Sequence, residues 1–312
     1  MAYQFRDTHI DKALTNYARA YMQDEKNFIA GMVMPVLQVE KESDKYFQFD
    51  RANWRISDSL RAPGSMANEA QMPVVSNDSY NVEEHAKRTI VSDREVANAD
   101  VAIEPLQSAA GDLTEQLLVE RDYLCAQTVF TTTAAANSTS LATAAKWDYT
   151  STTTPIDDID TGVETVAKEI GKKPNTGVTG MEVWTVLKNH EDILDRIKYT
   201  QKGVVTQDLV ASLLGLDNMY VGSSVRLTTN TGITSEATSY IWGKNFLVSY
   251  VNPRPSIRSQ SHGYHFSTKG KNVQVRRYRS EERQGQFVEP QLFYDQKVTS
   301  TLSAYFLGNV IS

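Results

Sequence analysis

Residues 51–73 read RANWRISDSLRAPGSMANEAQMP, and this stretch limits the fold more than any other. Arg51, Arg55 and Arg61 cluster around Trp54, and Pro63 and Gly64 then open a polar run to Pro73. Apolar residues recur at neither the 3.6 spacing of a helix nor the 2.0 spacing of a strand. The segment nevertheless lies between strand candidates, VLQV at 36–39 and KYFQF at 45–49 before it and the mostly polar run YNVEEHAKRTIV at 80–91 after it. The reading is a drawn-out hairpin whose far end has no core of its own. Ordering about 20 residues costs on the order of 30 kcal/mol. Offsetting that takes about 1,200 Å² of apolar burial at about 25 cal/mol per Å², which approaches a whole protein–protein interface of about 1,600 Å². Either the segment is a solvated loop, or a neighbouring molecule supplies the surface that shapes it.

The rest of the chain has ample material for a core. Its 312 residues suit one large domain or two ordinary ones, and 40% hydrophobic with 22% charged residues is ordinary globular composition. A net charge of −6 argues against a general nucleic-acid binder. Cys125 is the only cysteine, so no internal disulfide and no thiolate zinc cluster is available, and folding in a reducing compartment is expected. Its place in a helical pattern makes it a buried small apolar side chain rather than a reactive thiol. No apolar run approaches the roughly 20 residues that cross a bilayer, and the N-terminus lacks the apolar core of a secretory signal, so no membrane role is expected.

Periodicity marks the other elements. Ile10, Ala13, Leu14, Tyr17, Ala18 and Tyr21 suit an amphipathic helix. Ser92 with Glu95 forms a capping-box pattern. From Glu104 to about Thr131, Leu106, Ala109, Ala110, Leu113, Leu117, Leu124 and Val129 recur at three and four, with Pro105 in the first turn: a helix of roughly 38 Å. Residues 131–154, dominated by Thr, Ala and Ser, read as a surface connector and subdomain boundary. An α/β alternation follows. Ile156 to Ile170 is a helix with Asp157, Asp158 and Asp160 at its start and Gly171 and Pro174 at its end. GVTGMEVWTVLKNHEDILDRIK gives one or two more helices through Val183, Trp184, Leu187, Ile193, Leu194 and Ile197. Thr206 caps DLVASLLGL, MYVGSSVRL is extended, and SYIWGKNFLVSYV is a hairpin turning at Gly243 to Asn245. From 264 onward the chain reads as strands. The fold class is α+β, with a middle block inserted between parts of an outer layer that must meet in space.

No catalytic constellation emerges. Phosphate-cradling glycine motifs and a G-x-S-x-G elbow are missing from the sequence. His262 and His265 form H-G-Y-H, a spacing that could join a metal site but reads better as a turn, and His9, His85 and His190 stand alone. No catalytic, cofactor or metal residue is assigned. The run KGKNVQVRRYRSEER at 269–283 gathers Lys269, Lys271, Arg276, Arg277, Arg279 and Arg283 around Tyr278. It reads as a phosphate-gripping strand, as a solvated strand, or as arginines placed for bidentate pairing with carboxylates across an interface.

The order of these pieces resembles the major capsid proteins of tailed bacteriophages, the Hong Kong 97-type fold, over nearly the whole chain. FIAGMVMPVLQVEKESDKYFQFDRANWR is similar to the N-terminal arm entering the extended loop, LRAPGSMANEAQMP to the loop tip, and YNVEEHAKRTIVSDREVANAD to its return. The resemblance implies an N-terminal arm at 1–40, an extended β-hairpin loop and its exit at 41–100, and a peripheral domain with spine helix and connector at 101–150. It further implies an axial α/β domain at 151–263 and peripheral-domain strands at 264–312. It implies a shell subunit without catalytic residues or cofactor. This subunit would self-assemble into hexamers and pentamers of an icosahedral head around double-stranded DNA, held without sequence specificity. With no long charged N-terminal extension in the sequence, it implies a separate scaffolding protein; a portal protein and a decoration protein are further expected partners. The virion is the expected location, with assembly in the host bacterial cytoplasm. Arg51, Trp54, Arg55 and Arg61, and Arg276, Arg277 and Arg279, are then the expected subunit-interface residues, because Trp and Arg dominate interface hot spots. Two other readings stand beside this one: an encapsulin-like nanocompartment shell, told apart by an adjacent cargo enzyme, and a soluble α+β enzyme, told apart by eluting as a small oligomer.

Overall fold

The computed structural model describes residues 9–10, 28–47, 56, 60, 61, 63, 64, 66, 78–98, 104–149, 153–197, 205–229, 237–270 and 273–312. The first part of the chain holds β1 (His9–Ile10), α1 (Ala30–Val33), β2 (Val36–Val39), β3 (Ser43–Lys45), β4 (Ser79–Asn81), β5 (Glu83–Ala86), β6 (Thr89–Ser92) and α2 (Asp93–Asn98). The middle holds α3 (Pro105–Val129), β7 (Asn137–Ser140), α4 (Pro155–Ile170), β8 (Thr176–Gly180), α5 (Met181–Leu187), α6 (Glu191–Ile197), α7 (Gln207–Leu213) and β9 (Asn218–Gly222). The last part holds β10 (Val225–Leu227), β11 (Thr238–Tyr240), β12 (Phe246–Ser249), β13 (Gly263–Thr268), β14 (Val273–Ser280), β15 (Gly285–Val298) and β16 (Ala304–Gly308).

Two large sheets share one long helix. β15 is the hub of a seven-stranded sheet, pairing with β5, β6, β13 and β14, while β2 lies parallel to β13. The outer parts of the sequence thus meet in space, with Ser92 opposite Gly285 and Glu83 opposite Tyr294. The second sheet runs β7-β16-β12-β8-β9. Its inner strands β8, β12 and β16 are buried at every position. Side chains alternate between its two faces, as the period of a strand requires. Phe246, Val248, Tyr305 and Leu307 pack with α4 residues Ile156, Ile159 and Val166. Leu247, Ala304, Phe306 and Val178 pack on the opposite face with Cys125, Ala126 and Val129 of α3. Toward its N-terminus α3 turns Ala110 and Leu117 onto Val273, Val275, Val288 and Leu292 of the other sheet. One 25-residue helix is therefore the common wall of two cores. Each Leu, Ile, Val or Phe buried there is worth about 1.5–3 kcal/mol.

Several elements form as their residues dictate. Ser92 Oγ accepts from the Glu95 N–H at 3.2 Å while the Glu95 carboxylate accepts from the Ser92 N–H at 2.9 Å, the reciprocal capping box. α4 starts at Pro155 with Asp157 and Asp158 in its first turn and stops at Gly171, whose φ of +64° is the left-handed cap that glycine adopts without strain. Thr206 accepts from the Leu209 N–H at the start of α7.

Other expectations are corrected. Ile10 belongs to β1, opposite Arg276, rather than to a helix; residues 11–21 lie outside the described residues. Regular pairing before the excursion covers Ser43–Lys45 rather than 45–49, because Tyr46 dives against Phe266 with ring centroids 5.9 Å apart; 48 and 49 lie outside the described residues. The Thr-rich connector supplies β7, parallel to β16, and buries Ala134, Ala135 and Trp147. GVTG is strand β8 and not the start of a helix. Leu194 is exposed on α6 while Ile193 and Ile197 are buried. SYIWGKNFLVSYV is not a hairpin: β11 pairs with β10, whereas β12 lies between β8 and β16. The chain turns at Gly243, with φ +53°, after sinking Trp242 into the core. Residues 264–312 divide between both sheets, since β16 joins the strands of the middle block.

Candidate assembly surfaces

The root of the excursion is firmly built. β3 and β4 pair antiparallel, Ser43 opposite Asn81 and Lys45 opposite Ser79. Tyr80 stacks on Phe266 with centroids 4.5 Å apart, and the Asn81 N–H donates to Asp295 at 2.8 Å. These contacts fix where the excursion leaves the seven-stranded sheet. Past the root the side chains lose their core. Ile56 is 98% exposed, Leu60 86% and Met66 94%. Scattered apolar exposure is ordinary, but three nearly naked aliphatic side chains on one segment stand out from it. Arg61 is exposed beside them. Arg51, Trp54 and Arg55 lie outside the described residues.

The basic run lies along β14, where alternate residues face the core. Val273 and Val275 are buried and the arginines point outward or lie half-buried. Arg279 grips both oxygens of Asp93, at 3.1 and 2.9 Å, and meets Glu281 at 2.7 Å, so its guanidinium is held charged above its ordinary range. Arg277 donates to Gln286 at 2.5 Å. Tyr278 stacks on Phe287, donates to Glu289 and accepts from Arg88. Arg276 is half-buried opposite Ile10. The strand's cations are thus partly occupied by the chain's own carboxylates and amides rather than forming a bare basic face.

A third feature has no counterpart in the sequence reading. Asp122 lies on the buried face of α3 and is wholly inaccessible. Its carboxylate accepts from the Ala30 N–H at 2.9 Å, from Trp242 Nε1 at 2.7 Å and from the Ser224 hydroxyl. Burial pushes the Asp122 carboxyl up, against the pull of those three donors. The group knots α1, α3, the turn before β10 and the turn after β11 into one unit. Beside it Arg226 lies over the Tyr123 ring at 4.5 Å. The available signal was a single carboxylate four residues after Leu118 and three before Cys125, inside an apolar stripe.

The histidines divide. His262 lies in the bend before β13 and His265 within that strand, and both are buried. Burial depresses His262 to about 4, and burial with the neighbouring Arg121 charge depresses His265 to about 3. Both are therefore neutral near pH 7. His190 is hydrogen-bonded to Thr153 at 3.0 Å and accepts from the Asp192 N–H at 3.2 Å. Among the described residues no group of three His, Cys, Asp or Glu side chains is placed to hold a metal, and no helix is long and apolar enough to cross a membrane.

No protein-family model matches the chain. It is 28% identical over 270 residues to the major capsid protein of Burkholderia phage BcepMu, with 85% of each chain covered. Its fold matches a phage-related protein from Bordetella bronchiseptica with a TM-score of 0.77 at 20% identity, over 98% of both chains. The capsid of cyanophage P-SCSP1u matches with a TM-score of 0.56 at 11% identity, over 99% of this chain and 90% of the other. The chain is similar to tailed-phage major capsid proteins and has the Hong Kong 97-like capsid fold. A capsid protein self-assembles as a structural component of the virion, so its working chemistry lies in contacts between copies. The exposed excursion, the arginine-bearing strand β14 and the buried Asp122 knot are three separate features of the subunit.

Proposed function

We propose that this capsid protein closes hexamers and pentamers into an icosahedral head around double-stranded DNA, and that residues 51–73 take their shape from the adjacent subunit. The observation that carries this reading is the contrast between a root pinned by Tyr80, Phe266 and Asp295 and the exposure of Ile56, Leu60 and Met66 beyond it. In this reading residues 1–40 are an N-terminal arm and 41–100 the extended loop. Residues 101–150 with most of 264–312 form a peripheral domain around the spine helix α3, and 151–263 form an axial domain. Arg51, Trp54, Arg55 and Arg61 anchor the loop on carboxylates and apolar surface of the neighbour. Arg276, Arg277 and Arg279 serve a second contact. Exchanging the Arg279–Asp93 pair for an intersubunit one costs little, because both partners are nearly half exposed. A separate scaffolding protein, a portal protein and a decoration protein complete the expected partners, with assembly in the host bacterial cytoplasm. The net charge of −6 suits a shell that holds DNA without clamping it.

The test is charge reversal. Arg55→Glu with Arg61→Glu is expected to leave a folded subunit with an unchanged melting curve that no longer forms particles. Particles of normal size and yield from that double variant would count against the reading.

A further inference from the structure

A cavity of about 300 Å³ opens where the excursion leaves the seven-stranded sheet. Its walls are Leu37 of β2, Tyr46 and Tyr80 of the root, Tyr264 and Phe266 of β13, and Ile257, which is 48% exposed at the mouth. Bulky side chains close over a space unless something holds them in place. Here Tyr80 is stacked flat on Phe266 at 4.5 Å, Tyr264 stands edge-on to Phe266 at 6.3 Å, and the Tyr264 hydroxyl is tied to Ser259 at 2.7 Å. The rings are committed to one another, so the space beside them is pre-formed. Its volume lies at the lower limit of small-molecule sites.

Charge at the rim selects the class of ligand. Asp44 is the carboxylate of the lining, and Lys41 already pairs with it at 3.0 Å. Lys45, also in the lining, has no ion-pair partner among the described residues. Arg258 lies over the Phe47 ring of the wall, 5.6 Å from its centroid, and its guanidinium is likewise without a carboxylate among those residues. Apolar walls beside two uncommitted cations call for an apolar body with an anionic head. We propose that this cavity binds a small free carboxylate whose body is one ring or a short alkyl chain, held among Tyr46, Tyr80 and Phe266 with its head toward Lys45 and Arg258. Such a ligand touches β2 and β13 on one side and the root on the other. Its binding therefore braces the root of the excursion against the sheet, whatever lies beyond the root.

The probe is phenylpropanoate, set against its uncharged twin phenylpropanamide and against acetate, each titrated calorimetrically into the purified protein. The acid is expected to bind saturably and acetate not at all. The amide should bind about fivefold or more weakly, because two exposed charge contacts are lost. Bound acid should slow amide exchange at Ser43–Lys45 and Ser79–Asn81 and leave α4 unchanged. Ile257→Trp, which plugs the mouth, should abolish binding. Val225→Trp, the same kind of change at another half-exposed aliphatic residue, should not. Lys45→Gln with Arg258→Gln should bring the acid down to the affinity of the amide. No binding of the acid, binding that survives Ile257→Trp, or exchange slowed elsewhere than at the root overturns the site. Equal affinity for acid and amide overturns the choice of an anion. If Ile257→Trp lowers the melting temperature, the Lys45 and Arg258 double variant decides, since it changes only exposed side chains.

Discussion

Asp122 accepts hydrogen bonds from three separate parts of the chain, so removing its carboxylate strands the Ala30 N–H, the Ser224 hydroxyl and the Trp242 indole in a dry interior. Each buried donor without a partner costs about 1–3 kcal/mol. Asp122→Ala is therefore expected to lower unfolding free energy by about 3–5 kcal/mol in urea titration. Asp122→Asn, which keeps one carbonyl acceptor, should lose clearly less; equal losses would show that shape rather than hydrogen bonding sets the cost. Residue-scale chemistry also sets the response to acid. His262 and His265 fold neutral, at about 4 and about 3, and return toward 6.5 on unfolding. A depressed folded pKa means that the unfolded state binds the proton first. The stability is present in full above pH 6.5 and is lost as pH falls toward 4 and 3. His265→Phe, which cannot take the proton, should show a shallower fall in melting temperature between pH 6.5 and 4 than the unaltered chain. A parallel fall would assign acid sensitivity elsewhere.

At the scale of elements, the contrast lies between local and tertiary signals. α2 is legible because Ser92 and Glu95 cap each other within four residues. Ser92→Ala should cost about 1 kcal/mol, read as faster amide exchange confined to Asp93–Asn98. α3 and α4 are legible because periodicity, Pro105 or Pro155, and Gly171 all agree. β7 and β8 were missed for a physical reason. NSTS and TGVTG carry little apolar pattern, and they are strands because β16 and β12 lie beside them. Gly222 shows the same dependence, since a Cβ there would sit about 2.0 Å from the Trp242 ring. At 239–251 the expected hairpin is absent because β11 pairs with β10 and β12 with β8 and β16, and Trp242 between them donates to the buried Asp122. The turn expected at H-G-Y-H is the bend at His262, whereas His265 belongs to β13 because Gln296 of β15 lies opposite it. The ion pair between Arg279 and Asp93 is nearly half exposed, so Asp93→Asn should change stability by less than about 1 kcal/mol. A larger loss in thermal melts would place the pair in the subunit's own framework.

For the molecule as a whole, the order of the pieces carries the resemblance, while the cavity at the root of the excursion cannot be read from it. The pocket joins Leu37, Tyr80, Ile257 and Phe266, which only the paired sheets bring together. The exposure of Ile56 and Met66 likewise has meaning only against a finished subunit that leaves them outside. The subunit braces itself through α3 and Asp122, and in the proposed reading its excursion is completed by association. The most direct test is an electron cryomicroscopy map of the purified, assembled protein, traced through residues 51–73. A closed shell in which that segment of every subunit crosses onto the next is the predicted result. A monomer or small oligomer whose segment packs against its own chain would contradict it.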